Sequence, residues 1–276
     1  MIKKSLSHFI DEVKLCDPAD PFSSPLSLFQ DERIEVYYAP FEHINSQAKI
    51  VICGITPGKT QAEAALRIAK SGLKTKQDLS AIQLQAKQAA SFKGLRKNLG
   101  QMLDKIGLHQ KLNIESCDDL FGKHNSLVHY TSAVRYPTTL GGKDYSGTPK
   151  ASRHPFLKLM LDTYLSEEIE TLGKHCLWVP LGKGATDALE YMLKQGKLSK
   201  EQLITGLPHP SGANAESVAL MLEESYPSLD NYQEDMYQKY LSTTQSKQPQ
   251  NEEKYKSARR SRWENIAKVR RFYGID

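Results

Sequence analysis

The chain has 276 residues, 39% hydrophobic and 25% charged, with a net charge of +5. That length can bury one substantial core, and the longest apolar runs, such as Ile50 to Ile55, fall far short of the roughly 20 residues of a membrane span. A helical membrane protein is excluded and a globular body is expected.

Cys16, Cys53, Cys117 and Cys176 form no C-x-x-C pair. This argues against zinc, an iron–sulfur cluster and a disulfide framework, so neither metal nor cofactor is expected. Asp11, Glu12 and Lys14 closely follow Met1-Ile2-Lys3-Lys4, which leaves no apolar leader; the expected location is the cytoplasm.

In chain order, residues 1–48 read as an N-terminal helix, a Pro/Asp/Ser-rich loop and an extended stretch from Ile34 to Pro40. The β-branched run Ile50 to Ile55 predicts a strand, ending at Thr56-Pro57-Gly58 before a helix over Gln61 to Lys70. Residues 71–125 read as helical, with Leu95, Leu99, Met102, Leu103 and Ile106 spaced for one buried face. A strand is predicted within Leu127 to Tyr136. A long Gly/Thr/Ser/Pro-rich functional loop follows from Pro137 to Pro149. Helix Pro155 to Leu172, strand Cys176 to Leu181, helix Ala185 to Lys194 and strand Leu203 to Thr205 come next. The loop Gly206 to Asn214 then opens another helix.

Strands alternating with helices predict an α/β fold with a mainly parallel central sheet flanked by helices, and sites beyond the carboxyl ends of its strands. One domain is expected over 1–241, followed by a polar linker and a basic C-terminal helix over 242–276. From Lys254 to Arg271 the chain carries eight basic residues, Arg259 and Arg260 among them, against Glu264 alone; that segment holds +7 and the rest −2. Such a helix suits phosphate contact.

Cys53 to Thr60 ends in Gly-Lys-Thr after a predicted strand and so invites a phosphate-binding P-loop. The spacing fails, because the first glycine would have to stand at position 53 and the chain has Gly54. Pro57 also removes one backbone N–H that such a loop uses.

Three segments at predicted strand ends carry a different likeness. Gly54-Ile55-Thr56-Pro57-Gly58 resembles the Gly-Ile-Asn-Pro-Gly of the mismatch-specific uracil/thymine branch of the uracil-DNA glycosylase superfamily. Tyr130 to Pro137 is similar to the superfamily's Thr-Asn-x-Val strand, and His209-Pro210-Ser211 to its His/Asn-Pro-Ser loop. Leu177 to Leu189 resembles the family's Leu-Gly strand and turn. The likeness covers about residues 48–225 in the family's order. It implies a three-layer α/β/α fold and a monofunctional DNA glycosylase that works as a monomer without metal or cofactor, with DNA as partner and no membrane.

Glycosidic cleavage builds positive charge on the sugar and negative charge on the departing base, so it needs a donor at the base carbonyl and a group that positions water. His209, between Pro208 and Pro210, is the expected donor. Thr56 stands where the resembling branch has its water-holding Asn, and Glu63, with Asp144 behind it, is the expected carboxylate. Ile55, Pro57, Gly58 and Asp144 are expected beside the base, and Phe92 as its stacking partner, with Tyr38 and Phe41 as other aromatics. Ser132 matches the Asn with which the family's uracil readers pair the base edge. The shorter side chain points away from uracil and toward a bulkier modified pyrimidine. The likeness then extends to phage-defence members that remove glucosylated hydroxymethylcytosine. Lys59, Arg135, Lys93, Arg96 and Lys97 are expected phosphate contacts. Ser211, Gly212, Ala213 and Asn214 form the loop that enters the duplex in the family, here without a large apolar wedge. The alternatives are uracil or mismatched-thymine repair, a non-catalytic DNA-binding module, and a nucleotide hydrolase built on the P-loop-like segment.

Overall fold

The computed structural model describes residues 4–92, 94–222, 226–243 and 251–275. Helix α1 (Ile10–Leu15) precedes strands β1 (Ser27–Gln30), β2 (Ile34–Tyr37) and β3 (Ile50–Gly54). Helices α2 (Lys59–Lys74), α3 (Leu79–Ala90), α4 (Arg96–Lys105) and α5 (Leu108–Leu112) follow. Then come β4 (Val128–Ser132), β5 (Thr138–Leu140), β6 (Lys143–Asp144), α6 (Pro155–Met160), α7 (Ser166–Leu172), β7 (Leu177–Pro180) and α8 (Gly182–Lys194). The chain closes with α9 (Ala215–Leu222), α10 (Leu229–Thr243) and α11 (Glu252–Phe272).

These elements form two compact units. The first joins Met1–Lys93 to Lys123–Thr205, and the second joins Gly94–Gly122 to Gly206–Asp276. In the first, β3 lies between β4 and β7 with both pairings parallel. A strand enclosed on both edges and both faces must be apolar throughout, and Ile50, Val51, Ile52 and Cys53 are fully buried. The registers set Gly54 opposite Ser132 and Cys53 opposite Pro180, so the first two motifs end at the same edge of the sheet. With its helices this is the expected α/β fold with a parallel central sheet.

Two expectations need correction. Leu203 to Thr205 is not a strand: Leu203 makes an isolated parallel bridge to Trp178, and the Ile204 N–H donates to the Trp178 carbonyl at 2.9 Å. The stretch from Pro137 to Pro149 is not wholly a loop. Thr138 to Leu140 and Lys143 to Asp144 form a hairpin that extends an antiparallel sheet ordered β1-β2-β5-β6. Its turn is Gly141-Gly142, at φ +57° and +74°, the left-handed geometry that matches strand twist. The predicted helix from Pro155 to Leu172 is continuous, but it contains a π-helical turn at Leu161–Leu165.

The second unit has its own core of Met102, Val218, Leu220, Met221, Tyr232 and Ile266. Leu99, Met102 and Leu103 are buried as their spacing predicts. Residues 244–250, most of the expected linker, lie outside the described residues. No described helix is long and apolar enough to cross a membrane.

Candidate functional site

Within the first unit, the carboxyl edge of the parallel sheet holds a narrow recess with about 310 Å³ of free space counted out to its mouth. Pro57 comes from the β3–α2 turn, Gln61 from the first turn of α2, Lys87 from α3, Phe92 from the segment after it, Tyr130, Thr131 and Ser132 from β4, and Phe41 from the approach to β3. Of the residues expected at a base, Ser132, Pro57 and Phe92 are thus brought together.

Gly54 makes the slot possible. A Cβ there would stand 3.4 Å from the Phe92 ring and 3.6 Å from Ser132 Oγ, so its absence leaves the ring and the hydroxyl facing bare backbone. Phe92 reaches this position with φ +48°, left-handed backbone that a bulky side chain seldom adopts and that tends to occur at ligand sites. Its ring lies 6.0 Å from that of Tyr130 at 56°. Phe41 lines the recess. Tyr38 instead stacks on Phe9 at 4.0 Å in the core, so it is a packing residue.

Gln61 offers the recess little polarity of its own. Its Oε1 accepts from the Gly58 N–H at 3.0 Å and its Nε2 donates to the Ala90 carbonyl at 3.0 Å. The other fixed polar groups in the wall are cations. Lys87, 6% exposed, donates to the His43 carbonyl at 2.7 Å, and its Nζ lies 3.8 Å from Glu168. Arg135, 5% exposed, donates to Glu168 Oε1 from Nη2 at 2.9 Å and from Nε at 3.2 Å. Its guanidinium also lies over the Tyr164 ring, so it is not the exposed phosphate contact that was expected.

Glu168 is 1% exposed. Burial pushes its carboxyl up, but Lys87 and Arg135 hold it well below the usual carboxylate range. His129 Nδ1 accepts from the Asn45 N–H at 3.4 Å, which puts the ring proton on Nε2, 3.3 Å from the other Glu168 oxygen. Burial, then the charge of Lys87, push the His129 pKa down to about 4. Burial likewise lowers Lys87 to about 8, against the pull of Glu168.

Thr56 is a tie. Its hydroxyl donates to the Tyr136 carbonyl at 3.0 Å and accepts from the Thr138 N–H at 3.1 Å, fastening the β3 end to the β5–β6 hairpin. That uses its only proton and one of its two lone pairs, leaving a single acceptor position for water. Glu63 is half-buried on α2 and does not line the recess, so this expectation does not match the placement. Asp144 meets the motif directly. A Cβ on Gly58 would come within 2.7 Å of its Oδ2, which accepts from the Lys59 N–H at 3.4 Å. Asp144 and Lys59 are both exposed. Ile55 is half-buried and packs beside Gly147 and Gly184.

In the second unit His209 is half-buried on its loop, and burial lowers its pKa. The Ser211 N–H donates to its Nδ1 at 3.3 Å, so the neutral ring carries its proton on Nε2, a donor with no hydrogen-bond partner among the described residues. Asn98 fixes the loop by donating to the Pro210 carbonyl at 2.9 Å, and Asn214 donates to Ser211 Oγ at 3.3 Å. Gly212 and Ala213 are exposed in the 3₁₀ turn that opens α9. Arg259 differs from expectation: it pairs with Glu216 at 3.2 Å and lies 3.5 Å over the Tyr255 ring, whereas Arg260 is exposed. Arg96 lies over Phe121, Lys97 is exposed, and Lys93 lies outside the described residues.

Sequence reasoning missed Lys87 and Glu168. The available signal was Lys87 within a helix whose Ile82, Ala86 and Ala90 are buried, a charge on the edge of an apolar stripe.

A protein of Bacillus subtilis (strain 168), described as the uncharacterized protein YoxB, is 36% identical over 199 residues, covering 71% of this chain and 78% of its own length. No solved structure matches the chain. Residues 41–230 match the family model described as the Uracil DNA glycosylase superfamily, a span that contains β3, β4, the recess between them and the His209 loop; the chain belongs to that superfamily.

Proposed function

We propose that the chain is a monofunctional DNA glycosylase that acts on a flipped, modified pyrimidine other than uracil. Membership in the superfamily supports DNA glycosylase activity in general. The observation that carries the finer reading is Ser132 at the end of β4, facing Gly54 in a slot walled by Phe92. A hydroxyl there lacks the amide with which the family's uracil readers grip the base edge, and a site without that grip discriminates weakly in favour of uracil. A flat ring suits a slot between an aromatic and bare backbone, and the narrow walls require any bulky substituent to project through the mouth.

In this reading the C1′–N1 bond breaks with its electron pair passing to the base, while a water oxygen bonds to C1′ and leaves an abasic site. The Nε2–H of His209 donates to the base carbonyl and shares the charge that develops there. Asp144, beside the turn that supplies Pro57, is the carboxylate that takes the water's proton. Phage DNA bearing such bases is the setting this activity suits, with antiviral defence as its role.

The test is release of bases, followed by mass spectrometry, from DNAs containing uracil, mismatched thymine, hydroxymethylcytosine or its glucosylated form. Release from the modified cytosines is expected, with His209→Ala lowering the rate about 10²–10³-fold, as loss of one transition-state donor does. Rapid uracil excision would overturn the substrate assignment. An unchanged rate for His209→Ala would overturn the mechanism.

A further inference from the structure

The polar groups of fixed direction in the recess are unusual for a site that reads a pyrimidine. The Gln61 amide is fixed in direction by Gly58 at its oxygen and by Ala90 at one N–H, so what it turns to the recess besides is a donor. Of the other side chains in the wall, apart from hydroxyls, Lys87 and Arg135 are the polar ones, and neither can accept a hydrogen bond. The Arg135 Nε and Nη2 are directed to Glu168 and to the Tyr164 carbonyl. Among the described residues Lys87 makes one hydrogen bond, to the His43 carbonyl, and its distance of 3.8 Å from Glu168 exceeds hydrogen-bonding range. The ammonium therefore has N–H groups for a ligand, while the Glu168 charge behind it favours the protonated form.

The two pyrimidine pairing edges differ at this point. Uracil-type bases present N3–H, a donor, between two carbonyl acceptors. Cytosine-type bases present N3 as an acceptor next to the O2 acceptor. A buried donor directed at N3–H leaves two donors facing each other and both unsatisfied, which is the strongest form of polar discrimination. We propose that Lys87 is the specificity-determining residue of this site, donating to the adjacent N3 and O2 acceptors of a cytosine-type base and rejecting the N3–H of uracil-type bases. This rests on the glycosylase reading and narrows its substrate to cytosine derivatives.

Binding can test this apart from catalysis. The full chain is titrated with duplexes carrying one mismatched, cleavage-resistant 2′-fluoroarabino nucleotide: the cytosine form, its 3-deaza analogue, which has C–H in place of N3, or the uracil form. The wild type is expected to bind the cytosine form at least tenfold more tightly than either of the others. Lys87→Met, which removes the donors, and Lys87→Gln, which adds an acceptor, are expected to bring all three within about twofold. Equal wild-type affinity for the cytosine and 3-deaza forms, tighter binding of the uracil form, or a folded Lys87→Met that keeps the tenfold preference would each overturn the proposal. If both variants unfold, the wild-type comparison with the 3-deaza duplex decides. Absence of base release from cleavable DNA, with the binding preference intact, would count against the glycosylase reading and leave this assignment standing.

Discussion

At the residue scale, the proposed chemistry rests on two side chains that their neighbours hold in place. His209 is one, with Nδ1 held as an acceptor by Ser211. Asp144 is another, an exposed carboxylate that touches the Gly58 turn from a different sheet. Asp144→Asn keeps the shape and removes the base, so excision is expected to fall about 10²-fold or more in single-turnover base-release assays while DNA binding holds. His129 makes a prediction about stability. Its folded pKa, about 4, lies below the ordinary 6.5, so between those values the unfolded chain binds the extra proton. Stability should therefore be fully present above pH 6.5 and decline as pH falls toward 4, by on the order of 2–3 kcal/mol from this group. Denaturant melts at pH 7 and pH 4.5 measure the loss. A His129→Gln variant that folds should flatten that part of the profile. None of this was visible in the sequence, where His129 is one histidine in a strand and its carboxylate partner stands 39 residues away.

At the element scale, strand ends do the positioning. The pattern of apolar runs located β3 and β7 because buried parallel strands lack polar punctuation, whereas β4 carries His129 and Thr131 within it and coincides with the second motif itself. The hairpin of β5 and β6 was hidden by its own turn residues, since Gly141, Gly142 and Gly147 read as loop when the strands beside them span only three and two residues. That hairpin is anchored by backbone packing on α8. A Cβ on Gly147 would stand 2.5 Å from Gly184 Cα, and one on Gly184 would stand 2.9 Å from the Ser146 carbonyl oxygen. Gly184→Ala should therefore push the hairpin outward, costing about 1–3 kcal/mol in a thermal or denaturant melt. Because Asp144 and the Thr56 tie both belong to this hairpin contact, excision should fall with stability even though Gly184 does not line the recess.

At the scale of the whole molecule, the basic C-terminal segment is smaller in effect than its composition implies. Eight positive side chains stand between Lys254 and Arg271. However, Arg259 and Arg262 pair with Glu216, Lys256 with Glu234 and Glu252, and Arg270 donates to the Met221 carbonyl. Lys254, Arg260, Lys268 and Arg271 are the exposed remainder. Composition cannot separate cations engaged at home from those open to phosphate; only partners distant in sequence do. If this helix meets DNA, its share of the slope of log K against log salt is expected to be about −4 rather than about −7. A triple Arg260→Gln, Lys268→Gln, Arg271→Gln variant, titrated on duplex across a salt series, should recover about three units of slope. A wild-type difference as large as seven would show that the internal pairs open on binding.

The second unit is assembled from two stretches far apart in the chain, 94–122 and 206–276. During synthesis at about 5–20 residues per second, Met102 and its neighbours emerge several seconds or more before Val218, Met221 and Ile266 exist to cover them. A ribosome stalled between these stretches would hold an oily helix with nothing to sit against. Truncation near residue 205 should accordingly yield a product that clumps or is captured by chaperones, rather than a tidy smaller enzyme.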